Sequence, residues 1–140
     1  MVPKALLFKE NKLTNEEYEQ IKTHTKYGYQ LFLDSSNELL RLAATIALHH
    51  HERYDGNGYI GLAGEDINQY AQIVSIADVF DAVSSERTYK QSWTFEDCFD
   101  YIKNGSGILF NPQYIKSFIN AKDEIYHVFQ RCNAIGGGAI

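Results

Sequence analysis

The chain has 140 residues, 44% of them apolar and 22% charged, with a formal net charge of −5. That is enough for one domain with its own core, and it excludes wholesale disorder and a sequence-independent nucleic-acid binder, which would want a basic surface. The longest apolar run, "LLRLAATIAL", is too short to span a bilayer and holds Arg41, and "MVPKALLFKENK" lacks the apolar region of a signal peptide. The expectation is a cytoplasmic chain without a membrane segment. Cys98 and Cys132 match no metal-ligand spacing and read as reduced thiols.

In chain order, "LTNEEY" holds a capping box, with Thr14 as N-cap and Glu17 three residues on, and predicts a helix from about 15 to 33. "SSNELLRLAATIALHHH" predicts a second, with Ser35 and Glu38 as its box. Residues 52–68 hold four glycines and no periodicity, which makes them a long loop of the kind that carries function. A third helix is expected from about Gln69 to Ser85 and a fourth from Thr94 to near Gly105. A fifth begins at Pro112, which suits a first helical turn, and runs to about Cys132. The fold expected is all-α: a single bundle of about five helices over residues 1–132, with 133–140 as a flexible tail.

Polar residues interrupt the apolar faces of these helices. On the second, His50 continues the stripe of Leu39, Ala43 and Ile46, and His51 continues that of Leu40, Ala44 and Ala47. His49 follows a mixed face and is the least suited of the three to point inward. Two inward histidines at a helix end, followed by an acid and a glycine loop, point toward metal ligation. On the third helix, Tyr70, Val74 and Ala77 mark the expected buried face, and Asp78 and Asp81 share it. A buried carboxylate needs a cation, a donor set or a metal, so local caps and ion pairs stand beside metal binding here. His24 lies on the side of Ile21, Gly28 and Leu31 and completes a mixed His/Asp set suited to Fe, Mn, Zn or Ni. In "SSERTYKQ", Arg87 and Lys90 read equally as a solvated helix end or as a phosphate clamp.

Taken together, "HHERYDGNGYIGLAGEDI", "YAQIVSIADVFDAVSSERTYK" and "GSGILFNP" resemble the successive motifs of the HD-GYP domain, a branch of the HD phosphohydrolase superfamily, over roughly residues 2–119. The resemblance implies a helical bundle holding two or three metal ions, commonly iron or manganese. It also implies hydrolysis of the bacterial second messenger cyclic di-GMP to pGpG or GMP. By motif position, His24, His50, His51 and Asp78 match metal ligands. Tyr59 matches the signature tyrosine, and Arg87 and Lys90 match residues near the ligand's phosphates. Glu52, Asp55, Gly56, Gly58 and Asp81 match supporting positions.

Three departures from that pattern stand out. The family's His-Asp dyad belongs just before "VP", and no His-Asp pair occurs in these 140 residues; the family's first helices belong before it too. The signature reads Gly58-Tyr59-Ile60, without proline, which removes a fixed φ. The usual Asp before Pro112 is Asn111. The expected function is therefore a metal-dependent cyclic di-GMP phosphodiesterase domain, impaired in this chain as it stands. The alternative is an inactive module that binds nucleotide or partner proteins, such as diguanylate cyclase domains or upstream sensory and receiver domains. Apolar faces left exposed would invite homo-oligomerisation.

Overall fold

The computed structural model describes residues 2–3, 6, 9, 11–85 and 93–136, with side chains of the last helix described through Cys132. Among the described residues, six α-helices and one short 3-10 turn make up the regular structure, and no strand occurs. The helices are α1 (Asn15–Phe32), α2 (Glu38–His49), α3 (Gln69–Ser84), α4 (Phe95–Asn104), α5 (Pro112–Asn120) and α6 (Lys122–Gly136). The 3-10 turn, Gly64–Asp66, lies in the glycine-rich connection before α3.

Helix starts follow local chemistry closely. The Thr14 hydroxyl accepts the Glu17 N–H while the Glu17 carboxylate accepts the Thr14 N–H, closing the capping box of α1. Thr94 and Asp97 repeat the device on α4. Asn37, rather than Ser35, caps α2: its side chain accepts the Leu39 N–H, and Ser35 Oγ instead accepts the Asn37 N–H in the preceding turn. The expected fifth helix is in fact two. The chain leaves helical geometry at Ala121 (φ −94°, ψ 19°), and Asp123 and Glu124 then complement the N-terminus of α6. The break lets Phe129 of α6 reach Phe80 and Phe95.

The main core lies between α3 and the later helices. Ile76, Ile102, Phe110 and Ile115 are buried together, with Val79, Phe80, Leu109, Tyr114 and Phe118 packed against them. Phe99 stacks on Phe118 with centroids 4.9 Å apart. The inward face of α3 differs from the expected one. Ala71, Gln72, Ser75 and Ile76 are buried, whereas Tyr70, Val74, Ala77, Asp78 and Asp81 are exposed. Apolar residues surround this helix on most sides, so periodicity fixed the helix without fixing its rotation. The outer stripes of α2 differ likewise: Leu39 is 74% exposed and Leu40 40%, and only Ala44 is fully buried.

α1 packs along α2, and the contact is close because Gly28 has no side chain. A Cβ at Gly28 would lie 2.8 Å from the Ala47 Cβ. This approach sets the distance between His24, one turn before Gly28, and the histidines one turn beyond Ala47.

Candidate metal centre

Three imidazoles from two helices converge where α2 ends. His24 comes from α1, His50 caps the C-terminus of α2, and His51 begins the following turn. Each offers one ring nitrogen, and these nitrogens all lie within 4.8 Å of one another.

Hydrogen bonding fixes which nitrogens are available. His24 Nδ1 lies 2.6 Å from the Ile21 carbonyl oxygen and His50 Nδ1 lies 2.8 Å from that of Ala47. A carbonyl can only accept, so both Nδ1 atoms carry the proton and neutral rings keep Nε2 bare. Those two Nε2 atoms face each other at 3.2 Å. Two opposed lone pairs repel unless a cation satisfies them. Nitrogens bound to one ion at about 2.0–2.1 Å, with an angle of about 90–109° between them, lie about 2.8–3.4 Å apart. The observed spacing falls inside that range, and the carbonyl bonds orient both rings as outer partners of ligand histidines do. The three residues fit a divalent transition-metal ion.

His51 is also kept unprotonated at neutral pH. Burial first, then the neighbouring His50 and His24, lower its pKa to about 4, against the opposing pull of Asp78. Asp78 approaches without joining the group: its Oδ2 is 4.0 Å from His51 Nδ1, and its side chain is 49% exposed. It lies at the rim of the three-histidine cluster rather than buried within it, as its expected position had suggested. Asp81 is exposed on the next turn of α3, where its backbone carbonyl accepts from Ser84 and Ser85, and it is not among the clustered ligands. Arg87 and Lys90 lie outside the described residues.

The glycine-rich loop folds back over the histidines. The Tyr59 ring sits 4.7 Å from that of His51 and meets Tyr18 edge-on at 5.9 Å. Burial, followed by Tyr18 and the carboxylates of Asp78 and Glu19, pushes the Tyr59 phenol up to about 12, so it stays a hydrogen-bond donor at neutral pH. Beneath the loop, the Glu52 carboxylate accepts the N–H groups of Ile60, Gly61 and Leu62 at 2.7–2.8 Å. Asp55 is not among the clustered residues; it accepts from Asn57 N–H and pairs with Arg53 at 2.7 Å. Gly56 takes a φ of +82°, and Gly58 lies so close to Glu52 that a Cβ there would be 2.5 Å from its Cα.

A second segment braces the loop. The Tyr54 and Asp55 N–H groups donate to the carbonyls of Leu109 and Ile108. Asn111, buried, donates to Glu65 at 3.1 Å and caps α5 by accepting from Gln113 N–H.

Two residues escape a reading by motif. His49 lies outside the cluster but has a structural contact: its Nδ1 accepts the Asn68 N–H, tying the end of α2 to the cap of α3, and burial lowers its pKa. Lys22 places its ammonium 5.0 Å from the Tyr18 ring and 5.4 Å from that of Tyr59, while pairing with Glu19 at 2.7 Å. Its spacing, four residues after Tyr18 and two before His24, was the available signal.

Comparisons with known proteins identify relatives of this chain. A family model described as HD domain matches residues 1–113. The chain is 41% identical over 128 residues to the cyclic di-GMP phosphodiesterase response regulator RpfG of Xanthomonas campestris pv. campestris, covering 91% of this chain and 34% of that protein. It is 40% identical over 131 residues to a cyclic di-GMP phosphodiesterase of Thermotoga maritima, covering 93% and 36% respectively. A 3'3'-cGAMP-specific phosphodiesterase of Vibrio cholerae is 36% identical over 124 residues, covering 88% and 24%. The chain thus spans about a third or less of the length of these relatives.

Proposed function

Because this chain belongs to the HD-domain family, as an HD-GYP-type domain, we propose that it forms part of a metal-dependent phosphodiesterase acting on cyclic di-GMP in bacterial cytoplasmic signalling. The observation that carries this reading is the 3.2 Å approach of the Nε2 atoms of His24 and His50, with His51 beside them. These three residues hold the ion, which we take to be iron or manganese, with Asp78 able to join from the rim. A divalent ion bound there supplies Lewis acidity toward a phosphodiester.

The chain's own groups then bind and orient the ligand. Tyr59 lends a ring face and a protonated hydroxyl at the edge of the centre. Lys22, resting on Tyr18 and Tyr59, offers positive charge to a phosphate. Arg87 and Lys90 are assigned the same task by motif position.

No consecutive His-Asp dyad occurs in these 140 residues, so we assign them binding with little turnover of their own. That favours a nucleotide-binding or partner-docking role for the isolated chain as the second reading. The test is calorimetric titration of the purified chain with cyclic di-GMP and with 3'3'-cGAMP in the presence of Mn²⁺, alongside a hydrolysis assay. Metal-dependent binding of cyclic di-GMP that His50→Ala weakens supports the proposal. Absence of binding contradicts the substrate assignment, and robust turnover by the wild-type chain contradicts the assigned impairment.

A further inference from the structure

Glu52 is the one buried carboxylate among the described residues, 3% exposed. Such a group costs several kcal/mol unless charge-assisted hydrogen bonds satisfy it. Here three successive backbone N–H groups do so. Ile60 donates to Oε1 at 2.8 Å, and Gly61 and Leu62 donate to Oε2 at 2.8 and 2.7 Å. Gly61, at φ +89°, gives the backbone the curvature of an anion-binding nest, and the anion is the protein's own side chain.

Tyr59 lies between two attachments to this same residue. On one side Gly58 is seated against the Glu52 backbone, where a Cβ would come within 2.5 Å of Cα and 2.7 Å of the Arg53 nitrogen. On the other, residues 60–62 are held by the Glu52 carboxylate. With both flanks pinned, the Tyr59 backbone has little freedom left, and its ring rests 4.7 Å from His51, the residue immediately before Glu52. The two-residue unit His51-Glu52 therefore carries both an imidazole of the cluster and the latch that sets an aromatic ring against it. The Ile60 bond exists only because residue 60 is not proline, which has no N–H to donate. Where the signature would fix this backbone with a ring, the present chain holds it with a third hydrogen bond.

We propose that Glu52 is a positioning residue for Tyr59, presetting the ligand-facing ring through the Ile60, Gly61 and Leu62 amides rather than merely closing a surface loop. The ligand-binding part of this assignment rests on the cyclic-dinucleotide reading above; the ring placement does not.

The experiment uses the full 140-residue chain. Amide hydrogen exchange and Tyr59–His51 ring contacts are measured by NMR without metal or nucleotide, and cyclic di-GMP binding is then measured with Mn²⁺. Glu52→Gln turns an NH₂ group toward amide donors. It is expected to speed exchange at residues 60–62 by at least about tenfold, to abolish the ring contact, and to leave α4 amides unchanged. Glu52→Asp keeps the charge but withdraws it by one methylene, and gives intermediate values even where the Gln variant folds poorly. Binding falls about tenfold in Glu52→Gln and in Tyr59→Ala, and no further in the double variant, because the two residues act as one unit. Unchanged exchange and an intact ring contact in both Glu52 variants overturn the proposal, as does a binding loss that Glu52→Gln still causes in the Tyr59→Ala background. If the wild-type chain binds no nucleotide, the substrate reading fails, and the exchange and ring-contact measurements still decide the role of Glu52.

Discussion

Replacing Gly28 by alanine tests whether the α1–α2 approach sets the geometry of the histidines. The added Cβ would lie 2.8 Å from the Ala47 Cβ, where ordinary contact needs 3.4–4 Å, so the helices must part locally by 0.6–1.2 Å. His24 is one turn away, about 6 Å along the axis, and the Ala47 carbonyl is the one that orients His50. Metal–ligand distances tolerate only about 0.2 Å, so the shift is several times what a site can absorb. Stability should respond much less. Overpacking costs about 1–3 kcal/mol, while alanine in place of a mid-helix glycine returns about 1 kcal/mol. The net loss of about 0–2 kcal/mol corresponds to a fall in Tm of no more than about 7 °C for a chain of this length. Calorimetric titration with Zn²⁺ or Co²⁺, with thermal circular dichroism as control, should show affinity reduced at least about tenfold in a chain that remains folded. Ala47→Gly in the Gly28→Ala background removes the opposing methyl and should restore affinity. Wild-type affinity in Gly28→Ala would show that the α1–α2 approach does not set the histidine geometry.

Other outcomes follow from the same contacts. Ile102 is fully buried, so Ile102→Ala should cost about 2–5 kcal/mol in denaturant unfolding; a loss under 1 kcal/mol would show that the aromatic core does not depend on it. Asn111→Asp keeps an acceptor for the Gln113 N–H but sets a carboxylate against Glu65, so its destabilisation should grow from pH 5 to pH 8; a penalty independent of pH would contradict that pairing. The hydrogen bond from Lys9, then the Thr14 N–H, lowers the Glu17 pKa in the folded chain. Its contribution is therefore complete above the ordinary value of 4.5 and is lost as pH falls through the lowered one. Amides at the start of α1 should exchange faster, relative to intrinsic rates, at pH 3 than at pH 6, and Glu17→Gln should remove that difference.

The parts of this molecule legible in the sequence are those set by local chemistry. Thr14, Thr94 and Pro112 marked helix starts because a cap or a fixed φ acts within one turn. His24, His50 and His51 were legible as a set because polar residues interrupted apolar stripes, and the motif resemblance agreed. The rotation of α3 was not legible: with apolar residues around most of its circumference, Tyr70, Val74 and Ala77 looked as buried as Ala71 and Ile76. Asp78 therefore stands at the rim of the centre. The break at Ala121 was equally hidden, since no proline or glycine marks it. The roles of His49 and Glu52 depend on backbone amides at residues 60–62 and 68, contacts that no side-chain pattern encodes.

The proposed function depends on His24, His50 and His51 together holding a metal ion. Titration of the purified, metal-stripped chain with Co²⁺, followed by its visible absorption, tests this most directly. The expected result is saturable binding with a spectrum indicating nitrogen ligands, weakened about 10–100-fold or more by His24→Ala and by His50→Ala while helical content stays at the wild-type level. Equal affinity in the wild-type chain and in both variants would contradict it.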